Sequence, residues 1–332
     1  MILLRHRFTS ARRLVLVTAV AATFAPVVSS AQSDSHAVAL FEAGDYAGAR
    51  AELAAVLRHN PKDATALFYS GRVALQQGMS GESVDWFEKA IATDATNAEY
   101  HVWLGSALGE EAQRASKFRQ PFLARRVRTE FELATKLDPR NLLAHIGLMQ
   151  VYGLLPGIMG GSMERAHQQV SMIATLSPLY GHLGAGFLAQ REKNNALAER
   201  EYEAGIAAAP DSAAGYLSLG MLYQREERWA DAFATYDRLL KRRPDDLGAQ
   251  FQIGRTAALS GSNLDRGEQS LKLWLATPPK DARAASVAGA HHRLGQIYQK
   301  RGRLDAARAE YDEAVRLDPK NEDARTSLAS LP

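Results

Sequence analysis

Cysteine is absent from the 332 residues, which excludes disulfides, thiolate metal sites, a cysteine nucleophile and lipid attachment through an N-terminal cysteine. Proline is sparse, with 12 residues, and β-branched runs are short; alanine recurs throughout and hydrophobic residues make up 46%. That balance favours helix and suffices to build cores. No zinc-protease motif, serine-nucleophile elbow or supported carboxylate pair is found. Glu110 and Glu111 come nearest, but adjacent helical residues face different ways. An excess of either charge is lacking too. The 40 basic and 37 acidic residues give a net charge of +3. Four of the basic residues, Arg5, Arg7, Arg12 and Arg13, precede residue 32; without them 36 remain against 37, a formal charge of −1. The basic surface on which nucleic-acid binding rests is therefore missing.

Residues 1–31 have their own character. The four arginines stand without an acidic residue, Leu14–Val28 is apolar, and Ser29-Ser30-Ala31 places small residues before Gln32. This order of basic, apolar and small residues predicts a secretory signal peptide cut after Ala31. The apolar stretch is short for a membrane span of about 20 residues. An exported protein, periplasmic or secreted, is expected, with membrane contact only through an uncleaved signal segment.

From residue 32 onward the chain repeats itself. Lys136-Leu-Asp-Pro-Arg-Asn141, Ala208-Ala-Pro-Asp-Ser212, Arg243-Pro-Asp-Asp246 and Arg316-Leu-Asp-Pro-Lys-Asn321 each close an apolar, alanine-containing helical pattern. Aligned on these ends, segments 64–97, 179–212, 213–246 and 288–321 share one period of 34 residues. Within 213–246 the markers are Tyr216, Leu219-Gly220, Tyr223, Ala232, Tyr236, Leu239 and Pro244; within 288–321 they are Leu294-Gly295, Tyr298, Gly302, Ala307, Tyr311, Ala314 and Pro319. These markers closely resemble the tetratricopeptide-repeat (TPR) family, whose unit is a helix–turn–helix. The resemblance implies an all-α, right-handed superhelical solenoid of about eight units. They are placed at 35–63, 64–97, 98–141, 142–178, 179–212, 213–246, 247–280 and 288–321, with 322–332 as a capping helix. No linker interrupts them, so one continuous solenoid is expected. Gly71, Gly105, Gly220, Gly254 and Gly295 fall inside first helices, where glycine costs about 1 kcal/mol relative to alanine. A close crossing by the second helix explains them, with Ala49, Ala198, Ala232 and Ala307 as the matching small residues.

Two units depart from the period. The third is about ten residues over length. Its stretch from Arg114 to Arg128 holds Arg114, Lys117, Arg119, Arg125, Arg126 and Arg128 with no acidic residue. The fourth carries the expanded turn Leu154-Leu-Pro-Gly-Ile-Met-Gly-Gly-Ser162. A phosphate-binding loop needs a lysine after its last glycine, and a dinucleotide loop needs a preceding strand; neither is present. A long third unit followed by a P-G-x-x-G-G turn is similar to exported bacterial TPR proteins, a resemblance that implies no specific activity. His101, His145, His182 and His291 share one repeat position. Equivalent residues in stacked units lie about 8–10 Å apart, which leaves room for two but not three to share one ion, and they read as packing residues.

By TPR geometry the inward-facing residues are Phe68, Arg72, Gln150, Phe187, Arg191, Leu217, Met221, Arg225, Phe251, Arg255, His292, Gln296 and Lys300. The asparagine of the chaperone-binding carboxylate clamp is replaced by Arg72, Ser106, Gln150, Phe187, Met221, Arg255 and Gln296 in units two to eight, so binding of a chaperone tail is not implied. The expected function is a non-catalytic scaffold of the cell envelope or secreted space that binds a protein or peptide segment. No cofactor, metal, nucleic acid or small-molecule substrate is indicated. The alternative is an accessory subunit of an envelope assembly or polymer-secretion machine. Candidate partner contacts are Arg119, Arg125, Arg126, Ile158 and Met159 at the two departures, and Arg191, Arg225, Phe251 and Arg255 on the inward face.

Overall fold

The computed structural model describes residues 30–332 except 281, with side-chain surroundings from residue 35. All but the last two residues of the expected signal segment lie outside the described residues. Among the described residues no helix is long and apolar enough to cross a membrane, and all regular structure is helical.

The chain divides into two compact lobes at Lys193/Asn194, inside the fifth repeat. In the first lobe, α1 (Ser30–Glu42) pairs with α2 (Tyr46–His59), α3 (Ala64–Gln76) with α4 (Ser80–Thr93), α5 (Ala98–Arg114) with α6 (Gln120–Leu137), and α7 (Leu142–Leu154) with α8 (Met163–Leu176); α9 (Pro178–Arg191) follows. The second lobe opens with α10 (Asn195–Ala208). It continues with the pairs α11 (Ala213–Arg225) and α12 (Trp229–Arg242), α13 (Leu247–Ser260) and α14 (Leu264–Ala276), α15 (Ala284–Lys300) and α16 (Leu304–Leu317), and α17 (Glu322–Ala329). Each helix packs on the next within its lobe. The first helices of successive pairs also touch: α1, α3, α5, α7 and α9 in one lobe, and α11, α13 and α15 in the other.

Local chemistry sets where the helices begin. Asp63, Asn97, Asn141, Ser212, Asp246 and Asn321 each precede a helix, and each side chain accepts a hydrogen bond from a first-turn amide. That satisfies donors the helix leaves open. The final helix α17 covers the end of the stack, burying Ala324 against Ala288 and Ala314.

The first helices do meet the second ones closely, as the Ser83 hydroxyl shows by donating to the Gly71 carbonyl at 2.8 Å. The pairing of glycines with alanines needs correction, however. Ala49, Ala198, Ala232 and Ala307 are fully buried, yet larger side chains occupy the space the glycines leave. A Cβ on Gly71 would lie 2.7 Å from Phe87 Cε1, and one on Gly105 3.1 Å from Phe131. Tyr236, Leu271 and Tyr311 fill the same place against Gly220, Gly254 and Gly295. Each glycine is a seat for a second-helix side chain, and in four of these five it is an aromatic ring.

A second fastener recurs between neighbouring repeats. Tyr223 donates to Glu199 at 2.8 Å while the Arg228 guanidinium lies 4.2 Å from its ring centre and pairs with Glu199 at 2.6 Å. Tyr298, Glu268 and Arg303 repeat the arrangement, with Arg303 4.4 Å from the ring centre. Burial and the neighbouring carboxylate hold the Tyr223 phenol above its ordinary range.

Candidate functional site

The third repeat spends its extra residues on helix length. Helix α5 has 17 residues and α6 has 18, against 13 and 14 in α3 and α4. The buried stripe of α6 is Leu123, Ala124, Val127, Phe131 and Ala134, the spacing of one helix face. Phe122 falls off that stripe and Phe118 precedes the helix; they are 66% and 96% exposed. Lys117, Arg119 and Arg125 around them are exposed. None of the three forms an ion pair with another described residue. Arg126 does not belong with them: it pairs with Glu88 on α4 at 2.5 Å and tacks α6 to the preceding repeat.

The expanded turn folds as a short 3-10 turn, Gly157–Met159. Pro156 O accepts from the Met159 amide at 2.8 Å and the Gly161 amide at 3.1 Å, and Tyr152 O accepts from the Ser162 amide at 2.9 Å. Gly160 has φ +91°, and the Arg128 guanidinium on α6 fills the place where its Cβ would stand. That contact brings the turn against α6. Ile158 is 98% exposed at the tip, whereas Met159 is half-buried. The α5–α6 turn thus carries two exposed apolar side chains and three exposed cations, and Ile158 stands exposed on a separate turn that packs against α6. Sequence reasoning found Arg119, Arg125 and Ile158 but missed Phe118 and Phe122. For Phe122 the signal was its position off the apolar stripe of α6.

Several residues expected on the inward face are buried instead. Phe68 packs among Tyr69, Phe87 and Tyr100. The Arg72 guanidinium lies 4.5 Å from the Phe41 ring centre and 4.6 Å from that of Trp103, and burial lowers its pKa. His292 lies beneath α17, 3.0 Å from the Ser327 hydroxyl. Phe251 is half-buried and tilts against Trp274 with ring centres 5.4 Å apart. Arg191, on α9, is exposed and donates to the Gly153 carbonyl at 3.4 Å.

The second lobe keeps a polar first-helix face. Arg225 on α11 is exposed. Arg255 on α13 donates to Gln224, which in turn donates to Thr256 at 2.7 Å. Arg293 on α15, which sequence reasoning passed over, donates to Gln296 at 2.8 Å. Burial lowers the pKa of both Arg255 and Arg293. Arg225 lowers Arg255 further, as Arg255 does Arg293.

Three of the four repeated histidines tie the two helices of their pairs together. His101 sits between Glu130 at 2.7 Å and Ala95 O at 3.1 Å; His145 sits between Gln169 at 2.7 Å and Pro139 O at 2.9 Å. His291 meets Glu310 at 2.6 Å. In each case the ring bonds to the second helix of its own pair.

Family profiles described as tetratricopeptide repeat match residues 35–98, 185–246, 217–284 and 288–321, together more than half of the chain. No curated protein matches the chain. Among solved structures, a tetratricopeptide repeat protein from Parabacteroides merdae is similar, with 12% identity, a TM-score of 0.50, and coverage of 90% of this chain and 97% of that one. The Cut9–Hcn1 hetero-tetramer of the APC/C is similar over 89% of this chain and 54% of that one, with 14% identity and a TM-score of 0.51. Both likenesses are of fold. Proteins of such repeats are generally non-catalytic scaffolds for protein–protein contact. With its helix–turn–helix pairs, ring-seating glycines and profile matches, this chain belongs to the tetratricopeptide-repeat family.

Proposed function

We propose that this protein is an exported, non-catalytic scaffold of the cell envelope or secreted space that binds a polypeptide segment at the α5–α6 corner of its first lobe. The observation that carries the reading is the exposure of Phe118 at 96% and Phe122 at 66% beside Lys117, Arg119 and Arg125, with Ile158, 98% exposed, on the turn that packs against α6. Ordering two lengthened helices costs conformational entropy, and the apolar side chains at their turn add nothing to the repeat core. Apolar anchors next to unpaired cations suit a partner segment that is partly apolar and partly acidic. Export rests on the order of residues 1–31 alone.

The test is capture from envelope extracts by the full chain and by a Phe118→Ser/Phe122→Ser/Ile158→Ser variant. Loss of one specific protein at unchanged thermal unfolding is expected; identical captured sets refute the corner as the site. A stoichiometric complex that survives purification favours the accessory-subunit reading. Sequencing the N-terminus of the recovered protein tests export: Gln32 is expected first, and retained Met1 refutes it.

A further inference from the structure

The turns that precede α12 and α14 enclose a cavity of about 480 Å³ in the second lobe, whose lining includes Glu227, Arg228, Trp229, Asp231, Phe233 and Asn263. Small-ligand pockets are commonly about 300–1,000 Å³. Three of these side chains have no task in the fold. Of the four tryptophans, Trp86 donates to Glu82 at 3.0 Å and lies under Lys89 at 4.2 Å, Trp103 packs on Phe68, and Trp274 packs on Phe251. Half-buried Trp229 makes no ring contact, cation contact or side-chain hydrogen bond among the described residues. Glu227 is exposed and forms no ion pair among them either. Yet it holds a left-handed backbone, φ +57°, at a turn position that Gly78 and Gly302 fill elsewhere. A side chain kept at a strained position with no partner in the fold points to a use outside it. Asn263 stands at the start of α14 without a capping hydrogen bond, so its amide oxygen is open to a donor.

We propose that this cavity binds an organic cation on an alkyl stem, a guanidinium or an ammonium group, with its charge against Glu227 and Asn263 and its stem on the Trp229 ring. Local charge favours that sign. Arg228 is met by three carboxylates, Glu199 at 2.6 Å, Asp231 at 2.7 Å and Glu226 at 3.4 Å. With Glu227, four carboxylates stand against two guanidiniums, Arg228 and the exposed Arg225. The positive ends of α12 and α14 are offset by Asp231 and Asp265 in their first turns. An indole face attracts a cation more strongly than any other aromatic side chain does, and the carboxylate and amide oxygens accept from N–H donors that a ring cannot satisfy. The same chemistry is carried by a lysine or arginine side chain of another chain and by a free alkylamine or guanidine.

The cavity lies in the other lobe from the α5–α6 corner and takes the opposite charge, so the two readings fail separately. The experiment is an NMR titration of the full chain, read at the tryptophan indole N–H signals, with n-butylguanidinium and with a glycine pentapeptide carrying arginine at its centre. The comparisons are the same peptide with citrulline, which keeps the shape and lacks the charge, and acetate. Trp229→Leu assigns the signal, since the equivalent Leu304 already begins α16. Both cations should shift the Trp229 signal saturably, and less tightly as salt is raised; the citrulline peptide and acetate should not. Glu227→Gly, expected to fold at least as stably as the wild type, should weaken both cations by about tenfold or more. Tighter binding of the arginine peptide identifies a partner's side chain as the ligand, and equal or tighter binding of butylguanidinium a free cation. No saturable shift of Trp229 with either cation, an equal shift with the citrulline peptide or acetate, or full affinity in Glu227→Gly overturns the proposal.

Discussion

Replacing Gly220 by alanine inserts one methyl group where Tyr236 already stands. The new Cβ would lie 2.6 Å from the tyrosine hydroxyl and closer still to two ring carbons, far inside the optimum of about 3.5–4.0 Å. Tyr236 is fully buried, so the ring has no open space to move into. Overpacking of this kind costs about 1–3 kcal/mol. Against it stands the gain of about 1 kcal/mol that alanine normally brings to a helix interior. Contacts this short put the cost in the upper part of that range, about 2–3 kcal/mol, so the net expectation is a loss of about 1–2 kcal/mol, a drop of about 3–8 °C in the unfolding midpoint. Leucine at the same position should be worse. Gly289 supplies the control: it lies within α15, and a Cβ there meets nothing within 4 Å. Gly289→Ala should therefore stabilise by up to about 1 kcal/mol. Thermal unfolding followed by circular dichroism, with both variants measured beside the wild type, separates the two signs. A Gly220→Ala protein as stable as wild type refutes the ring-seat explanation of the repeated glycine.

Glu227 adopts φ +57° at the turn before α12, where the corresponding turns use Gly78 and Gly302 at φ +78° and +72°. Because a left-handed conformation costs an L residue about 1–2 kcal/mol, Glu227→Gly should raise stability by about 0.5–1 kcal/mol once glycine's own entropy loss is counted; denaturant unfolding checks this. Burial, and secondarily the charge of Arg293, lowers the His292 pKa to about 4, against an ordinary 6.5, while Asp323 opposes the shift. The unfolded chain therefore takes up its proton first. The contribution of neutral His292 is complete above about pH 6.5 and declines as pH falls towards about 4. His292→Gln should flatten the pH dependence of the unfolding midpoint in that window, and an unchanged profile refutes the assignment.

The helix–turn–helix alternation was legible because its signals are local. Capping residues such as Asp63, Asn141 and Asp246 and the glycines of the first helices recur at one period, so a sequence read alone displays them. What was misread depends on contacts between repeats. Arg72 looked like an inward-facing charge, but Phe41 and Trp103, from the helices on either side, enclose it. Arg126 reads as a partner contact in the sequence, but Glu88, 38 residues earlier on α4, pairs with it in the fold. His292 lost its opening to the capping helix.

Whether this chain works by gripping another polypeptide is tested most directly by a photoactivatable amino acid placed singly at Phe118 and Phe122 in cells, with Met172, 42% exposed on α8, as the reference site. Illumination should yield one discrete protein adduct from positions 118 and 122 and none from 172. Charge reversal of Arg119 and Arg125 should diminish that adduct without lowering the amount of the chain. The absence of any adduct at 118 and 122, or adducts equally abundant at 172, would contradict it.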